Sequence, residues 1–276
     1  MHERHSAREE AEENKGQTHN QEWYRERAVA GKARNNSMIS RSRNGGPAFC
    51  RPDSRVGEGL IAACRQGHES AGFGAMGATT GHTMHLGLTG GMGCGKSTAA
   101  RLFEELGVAR LDTDVVVRDL LAQDAEVQAA LRARWGARVF DASGMIRRGA
   151  IGSIVFADSD ELAWLEGLLH PRVRRCWQAW LAERGDRLSL VEIPLLLEKS
   201  LEKHFDLVVC VTCSEVVQRA RLRARDLPET EISARLQRQM PLAEKVDRSD
   251  VVLSNSGTPA FLKQQIVYFM DHRLAC

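Results

Sequence analysis

The chain predicts an α/β fold: a parallel five-stranded sheet flanked by helices. Three observations carry that expectation. From Met84 onward, short apolar runs alternate with stretches of helical periodicity, as a parallel sheet joined by helical crossovers requires. The first run, Met84–Leu88, leads into the glycine-rich segment Gly90-Gly91-Met92-Gly93-Cys94-Gly95-Lys96-Ser97-Thr98, and helical periodicity follows. The residues before Met84 have a different composition and no sustained period.

Strands are expected at 84–88, 109–112, 188–193, 207–211 and 251–253. Helices are expected at 96–106, 115–121, 126–135, 160–169, 171–183, 214–224 and 229–240. Only helical signals occupy the gap between the second and third strands. A helical insertion, roughly Leu120 to Asp186, is therefore expected on one side of the sheet. Ligands of such sheets gather at the carboxyl ends of the strands, which makes the residues after each strand the first candidates for chemistry.

Composition narrows the classes. A length of 276 residues admits one large domain or two small ones, and an apolar share of 43% is enough for a packed core. No apolar run approaches bilayer length, so no membrane role is expected. A formal net charge of +2 argues against a general nucleic-acid binder. Seven scattered cysteines read as reduced thiols and a cytoplasmic setting rather than a disulfide framework. Cys210-Val211-Thr212-Cys213 has no second pair at zinc-ligand spacing and reads as strand residues.

Residues 1–83 are rich in Arg, Glu, Gly, Ser, Asn and Gln, and too poor in apolar surface to offset chain entropy. A disordered extension is expected. No apolar h-region follows the charged start, and early acidic residues count against a transit peptide. A competing reading takes Met84 or Met76 as the true start.

The glycine loop fits G-x-x-x-x-G-K-[ST] between a strand and a helix, the context of a P-loop and of the P-loop nucleoside-triphosphate-hydrolase fold. Its glycines let the backbone curl until several N–H groups converge, and the helix start adds unpaired N–H groups and a positive dipole end. Gly91, Met92, Gly93, Cys94, Gly95, Lys96, Ser97 and Thr98 are the expected ATP-binding residues. Lys96 would neutralise the β- and γ-phosphates, and Ser97 would ligate Mg²⁺.

Asp112 and Asp114 leave the second strand beside that loop; one carboxylate can orient an acceptor hydroxyl while the other holds a magnesium-bound water. Capping of the following helix by Asp114 is the structural alternative. Glu192, inside the third strand, would face the magnesium region or sit at an accessible strand end, since a buried carboxylate needs a partner. Glu198 reads as a first-turn helix residue. Arg221 and Arg225, at i and i+4, would share a helix face suited to phosphoryl charge, with Arg219 and Arg223 on the solvated side. His170 is a candidate base, or a helix-ending residue before an N1 proline at Pro171. Trp164, Trp177 and Trp180 read as core packing of the insertion.

With these residues assembled, positions 84 to about 270 resemble the dephospho-coenzyme A kinase family. The resemblance rests on the loop Leu88–Thr98, Asp112-Thr113-Asp114, Leu169-His170-Pro171 and Pro194-Leu195-Leu196 with Glu198. It continues through Gln218, Arg221, Arg225-Asp226, Arg235, Gln239, Lys245, Asp250 and Asn255. It implies a nucleotide core (84–119 and 187–276), a helical coenzyme A-binding insertion (120–186) and a lid at about 219–245. It also implies transfer of the γ-phosphoryl of ATP to the ribose 3′-hydroxyl of dephospho-coenzyme A, the last step of coenzyme A synthesis.

Carried over residue by residue, Asp114 becomes the base or orienter, and Lys96 and Arg225 join it as catalytic residues. Arg148 and His170, with Asp112, would bind the acceptor, Arg221 would belong to the lid, and the Asn255 segment would lie near adenine. Thr113, Cys94 and Ser249 depart from the commoner residues by small swaps, and Cys94 could make the loop oxidation-sensitive. Whether the chain is a monomer or a homo-oligomer stays open. The rival readings are a P-loop kinase acting on a nucleoside or sugar acid, and a nucleotide-operated switch. No guanine-reading Asn-Lys-x-Asp and no transporter-type Ser-Gly-Gly signature supports the second. Removal of residues 1–83 is expected to leave activity intact, measured by comparing turnover of the truncated and full chains; a folding or activity defect overturns it.

Overall fold

A computed structural model describes residues 84–184 and 188–274. The expected extension, residues 1–83, lies outside the described residues.

Strand β1 (His85–Gly90) feeds the glycine loop, and α1 (Lys96–Glu105) returns to β2 (Ala109–Asp112). Then follow α2 (Thr113–Gln123), α3 (Ala125–Trp135), α4 (Arg148–Ala157) and the long α5 (Ser159–Ala182). The chain re-enters the sheet as β3 (Ser189–Glu192) and β4 (Leu207–Thr212). The remainder is α6 (Glu215–Arg223), α7 (Glu229–Gln237), α8 (Leu242–Asp247), β5 (Val251–Ser254) and α9 (Pro259–Phe269). The sheet is five-stranded in the order β2-β3-β1-β4-β5, and every pairing is parallel. All five expected strands form, and β1 lies at the centre, so the glycine loop leaves the middle of the sheet.

Two apolar layers hold the sheet between helices. On one side, Leu131 and Trp135 of α3 and Trp177 and Trp180 of α5 pack with Leu111 of β2 and Val191 of β3. On the other, Phe103 of α1 and Ile266 and Phe269 of α9 pack with Leu86, Leu88 and Leu253. The Phe103 and Phe269 rings meet edge to face, centroids 6.2 Å apart. Trp177 is buried and stacks obliquely on Phe205 at 5.4 Å, so the insertion's tryptophans are core, as expected.

Four helical expectations need correction. Helices expected at 160–169 and 171–183 are one helix, α5, with Pro171 inside it, so His170 ends nothing. Proline removes one ladder hydrogen bond, while Arg172 Nη1 donates to the Leu168 carbonyl at 2.8 Å and satisfies an acceptor in the same turn. Helix α4 was not expected, because Gly149 and Gly152 weaken its propensity; burial of Ile151 and Val155, four apart, stabilises it instead. Helices α8 and α9 were also missed. The first has six residues, too few to show a period. The second carried a readable signal: Thr258 caps it by accepting from Phe261 N, with Pro259 at the first position.

Trp177→Ala is expected to lower stability by about 3–5 kcal/mol, measured as a shift of the urea midpoint. Trp177→Phe should leave ATP affinity unchanged; a loss would reassign the ring to base stacking.

Candidate active site at the glycine loop

Tight backbone approach dictates the glycines. At Gly90 a Cβ would lie 2.3 Å from the Val211 carbonyl oxygen. Gly95 takes φ 91° as the N-cap of α1, and a Cβ there would meet Asn255 Nδ2 at 2.1 Å. Asn255 is the reason for that crowding. Its Nδ2 donates to the Cys94 carbonyl at 2.8 Å while its own N–H reaches the Thr212 carbonyl at 2.7 Å. The Asn255 amide is therefore committed to the loop. The first turn of α1 leaves the N–H groups of Lys96, Ser97 and Thr98 free of intrahelical α-type bonds, although Thr98 N already reaches the Gly95 carbonyl at 3.1 Å.

Met92 behaves differently from its expected role. Its N–H donates to Gln239 Oε1 at 3.0 Å, and its carbonyl accepts from Gln218 Nε2 at 2.7 Å. Both backbone groups are occupied, so in this conformation Met92 offers the cradle no free donor. Gln218 and Gln239 belong to the site and were singled out by the sequence only through a family resemblance.

The acidic side centres on Glu192, a buried carboxylate at the end of β3. Ser97 Oγ donates to its Oε1 at 2.9 Å, and Arg110 Nη2 reaches its Oε2 at 2.9 Å. The same Arg110 nitrogen reaches Asp112 Oδ2 at 3.0 Å. Thr113 Oγ1 donates to the Glu192 backbone carbonyl at 2.8 Å, which gives the departure at Thr113 a structural use. In the sequence Glu192 shows only as a carboxylate inside a strand, because pairing across strands is invisible in one dimension, and no local pattern singles out Arg110.

Asp112, not Asp114, caps α2: its Oδ1 accepts from Asp114 N at 2.9 Å. Bound to that N–H and to Arg110, Asp112 is structurally committed. Asp114 is exposed on the first turn of α2. Partial desolvation, then the Asp112 charge, push its pKa above the ordinary carboxylate value, against the pull of Lys96 and Arg148. Arg148 opens α4, and its charge is among those that act on Asp114. A hollow of about 470 Å³ opens beside Arg148, bordered by Arg138, Arg147, Gly149, Ala150, Ser153 and Ile154. Lys96 Nζ lies 3.5 Å from the Gly90 carbonyl, and burial lowers its pKa, offset by Glu192 and Asp114.

The arginine expectation holds in half. Arg221 Nη2 donates to the Asn255 carbonyl at 2.9 Å, and its Nη1 is buried beside Gly95 without a hydrogen-bond partner among the described residues. Arg225 does not share a helix face with it: α6 ends at Arg223, and Arg225 lies exposed in the turn beyond. Arg219 and Arg223 pair with Glu229, on the outer side as expected. The His170 ring, on α5 of the insertion, sits 4.0 Å from Glu166, with Lys199 and Arg174 nearby. Glu198 lies in a turn rather than a helix. It pairs at 2.7 Å with Lys245, which is 0% exposed and also donates to the Pro194 carbonyl at 3.2 Å. Cys94, Cys210 and Cys213 are free and buried.

A glycine loop leaving the central strand, with its lysine and serine turned towards strand-end carboxylates, is the working arrangement of P-loop kinases. The family model for dephospho-CoA kinase matches residues 84–260, and the chain belongs to that family. A dephospho-CoA kinase of Synechocystis is 41% identical over 191 residues, spanning 68% of this chain and 95% of the relative. One of Halalkalibacterium halodurans is 37% identical over 188 residues, spanning 67% and 94%. Among solved structures, TT1252 from Thermus thermophilus superposes with a TM-score of 0.60 at 32% identity, covering 70% of this chain and 98% of that one. A dephospho-CoA kinase from Campylobacter jejuni shares the fold at a TM-score of 0.53 and 22% identity, covering 68% and 95%.

Asn255→Ala removes the amide that holds the Cys94 carbonyl. A destabilisation of about 1–3 kcal/mol is expected, together with weaker ATP binding, measured by denaturant titration and calorimetry. Unchanged ATP affinity would mean that the loop keeps its shape without this anchor.

Proposed function

We propose that this chain transfers the γ-phosphoryl group of ATP to the ribose 3′-hydroxyl of dephospho-coenzyme A, giving coenzyme A. The observation that carries the reading is the pairing of an intact phosphate cradle with one uncommitted carboxylate, Asp114, in a chain of this family. The alternative acceptors, nucleosides and sugar acids, have no such support from the family. Among the described residues, no helix is long and apolar enough to cross a membrane, and a cytoplasmic setting fits the substrates.

The chain's residues divide the work. The loop amides and Lys96 hold the triphosphate, and the buried Nη1 of Arg221 is available to a phosphate oxygen at the same loop. Asp114 accepts or orients the proton of the acceptor hydroxyl, because Asp112 is tied to Arg110 and to the α2 cap. Arg148, whose charge acts on Asp114, takes the acceptor's phosphates, and the helical insertion 120–186 supplies the rest of that pocket. Residues 219–245 act as a lid, and Arg225 is carried over the site only when that lid closes.

The site's chemistry fits Mg²⁺. Ser97 Oγ–H donates a hydrogen bond to Glu192, which leaves the hydroxyl lone pairs for a hard cation. Ser97 would hold the ion with Glu192 behind it, and the ion would neutralise charge across the β- and γ-oxygens. Positioning and charge stabilisation make up most of the catalysis, since phosphoryl transfer asks little covalent chemistry of the protein.

Asp114→Asn is expected to lower kcat by about 10²–10⁴-fold while ATP affinity stays near normal, in a coupled assay run against dephospho-coenzyme A, nucleosides and sugar acids. Unchanged turnover would remove Asp114 from the chemistry, and preference for another acceptor would remove the substrate assignment. The same carboxylate sets a pH dependence. Its folded pKa is raised, chiefly by desolvation, so the acidic limb of kcat/KM should sit higher than an ordinary aspartate would give and vanish in the Asn variant. Because the folded state holds this proton more tightly, its contribution to stability is most favourable below the unfolded pKa. That contribution is lost as pH rises through the folded pKa. Asp114→Asn should therefore be at least as stable as the parent at neutral pH.

A further inference from the structure

Two thiols meet beneath the phosphate cradle. Cys94, within the glycine loop, and Cys213, the residue after β4, have sulfur atoms 3.5 Å apart. The Cys210-x-x-Cys213 pattern does not describe this contact: Cys210 lies inside β4, whereas Cys213 has passed its end and faces the loop. Both partners are enclosed, at 0% and 6% exposure. The Cys213 thiol donates to the Cys94 sulfur, and that bond, with Lys96 close by, holds the Cys94 pKa below its ordinary value. Keeping its own proton for that bond pushes Cys213 upward. Burial raises Cys210 to about 12, which leaves it unreactive. The pair is thus polarised, with Cys94 the nucleophilic sulfur and Cys213 placed to resolve it.

We propose that Cys94 and Cys213 form a reversible disulfide that switches off nucleotide binding at this loop, an inference that rests on reading the loop as the ATP site. The oxidant is a small hydroperoxide. The Cys94 sulfur attacks one peroxide oxygen and the O–O bond breaks. Cys94 is left as a sulfenic acid, and hydroxide takes up a proton to become water. The Cys213 sulfur then attacks the Cys94 sulfur, the S–O bond breaks, and the sulfenic oxygen leaves as a second water carrying the Cys213 proton. Two thiols and one hydrogen peroxide become one disulfide and two waters. A dithiol reductant reverses the change.

The consequence follows from the anchors. A disulfide requires a sulfur separation of about 2.05 Å, so the two atoms must close from the observed 3.5 Å. The end of β4 is pinned, since the Thr212 carbonyl accepts from Asn255 N at 2.7 Å. Cys94 sits in a loop built on glycines, which is the softer side. Movement of Cys94 shifts the peptide that Asn255 holds and the adjacent N–H groups of Gly95 and Lys96. Displacing a preorganised site by about 1 Å costs on the order of a hundredfold. Arg221 lies against Cys213 and would be disturbed with it.

The test uses the full chain, reduced and then exposed to hydrogen peroxide, with three readouts. Non-reducing peptide mapping should give a Cys94–Cys213 cross-link. ATP affinity, by calorimetry, should fall by at least about tenfold and return after dithiothreitol. Cys213→Ser, compared with its own untreated sample, should form no cross-link, and any ATP affinity it loses under peroxide should not return after dithiothreitol, because an unresolved Cys94 oxidises past the sulfenic acid; Cys213→Ala replaces it if the serine variant fails to fold. No cross-link in the parent, a Cys94 or Cys213 cross-link to another cysteine instead, a cross-link with unchanged ATP affinity, or an equal and equally reversible loss in the Cys213 variant each overturns the proposal. Failure of the reduced chain to phosphorylate dephospho-coenzyme A would count against the assigned reaction instead, and leaves the cross-link and ATP-binding measurements readable.

Discussion

One buried carboxylate organises this molecule. Glu192 ends β3 with its side chain out of water, where an unpaired charge would cost several kcal/mol. The partners that compensate it come from three other elements: Arg110 from β2, Ser97 from α1, and, through the Glu192 backbone, Thr113 from α2. Satisfying that charge fixes the strand ends against the start of the phosphate-binding helix. The same guanidinium holds Asp112, which in turn caps α2 and exposes Asp114. The placement of Asp114 is thus a consequence of burying a different carboxylate.

The cradle is held from outside as much as by its own glycines. Asn255 grips the Cys94 carbonyl from the β5 end, and Gln218 and Gln239 grip both sides of the Met92 peptide from the α6–α8 region. Lys245, fully buried against Glu198 and the Pro194 carbonyl, joins that region to the loop after β3. Any motion of α6 to α8 is therefore felt at the backbone that meets the phosphates. The glycine loop is flexible by composition and rigid by contact, which suits a site whose donors must be preorganised.

Legibility followed the length scale of each signal. The strands were readable because buried parallel strands are continuous apolar runs, and the glycine loop because its chemistry is local. Helix α4 was unreadable through its two glycines, and the two helices expected around Pro171 are one because a proline in sequence cannot show what satisfies its neighbours. Arg221 and Arg225 failed as a pair for a similar reason: their spacing suits a helix that stops two residues short of Arg225.

By itself the sequence determined the fold class, the cradle, its lysine and serine, and the pair of aspartates beside it, because each is written in contiguous residues. Only the tertiary structure decided which aspartate is free, that Glu192 and Arg110 belong to the site, and that Cys94 touches Cys213. Those facts depend on residues 82, 95 and 119 positions apart meeting across strands. Such meetings are set by packing and by the pairing of buried charge, and no local pattern encodes them.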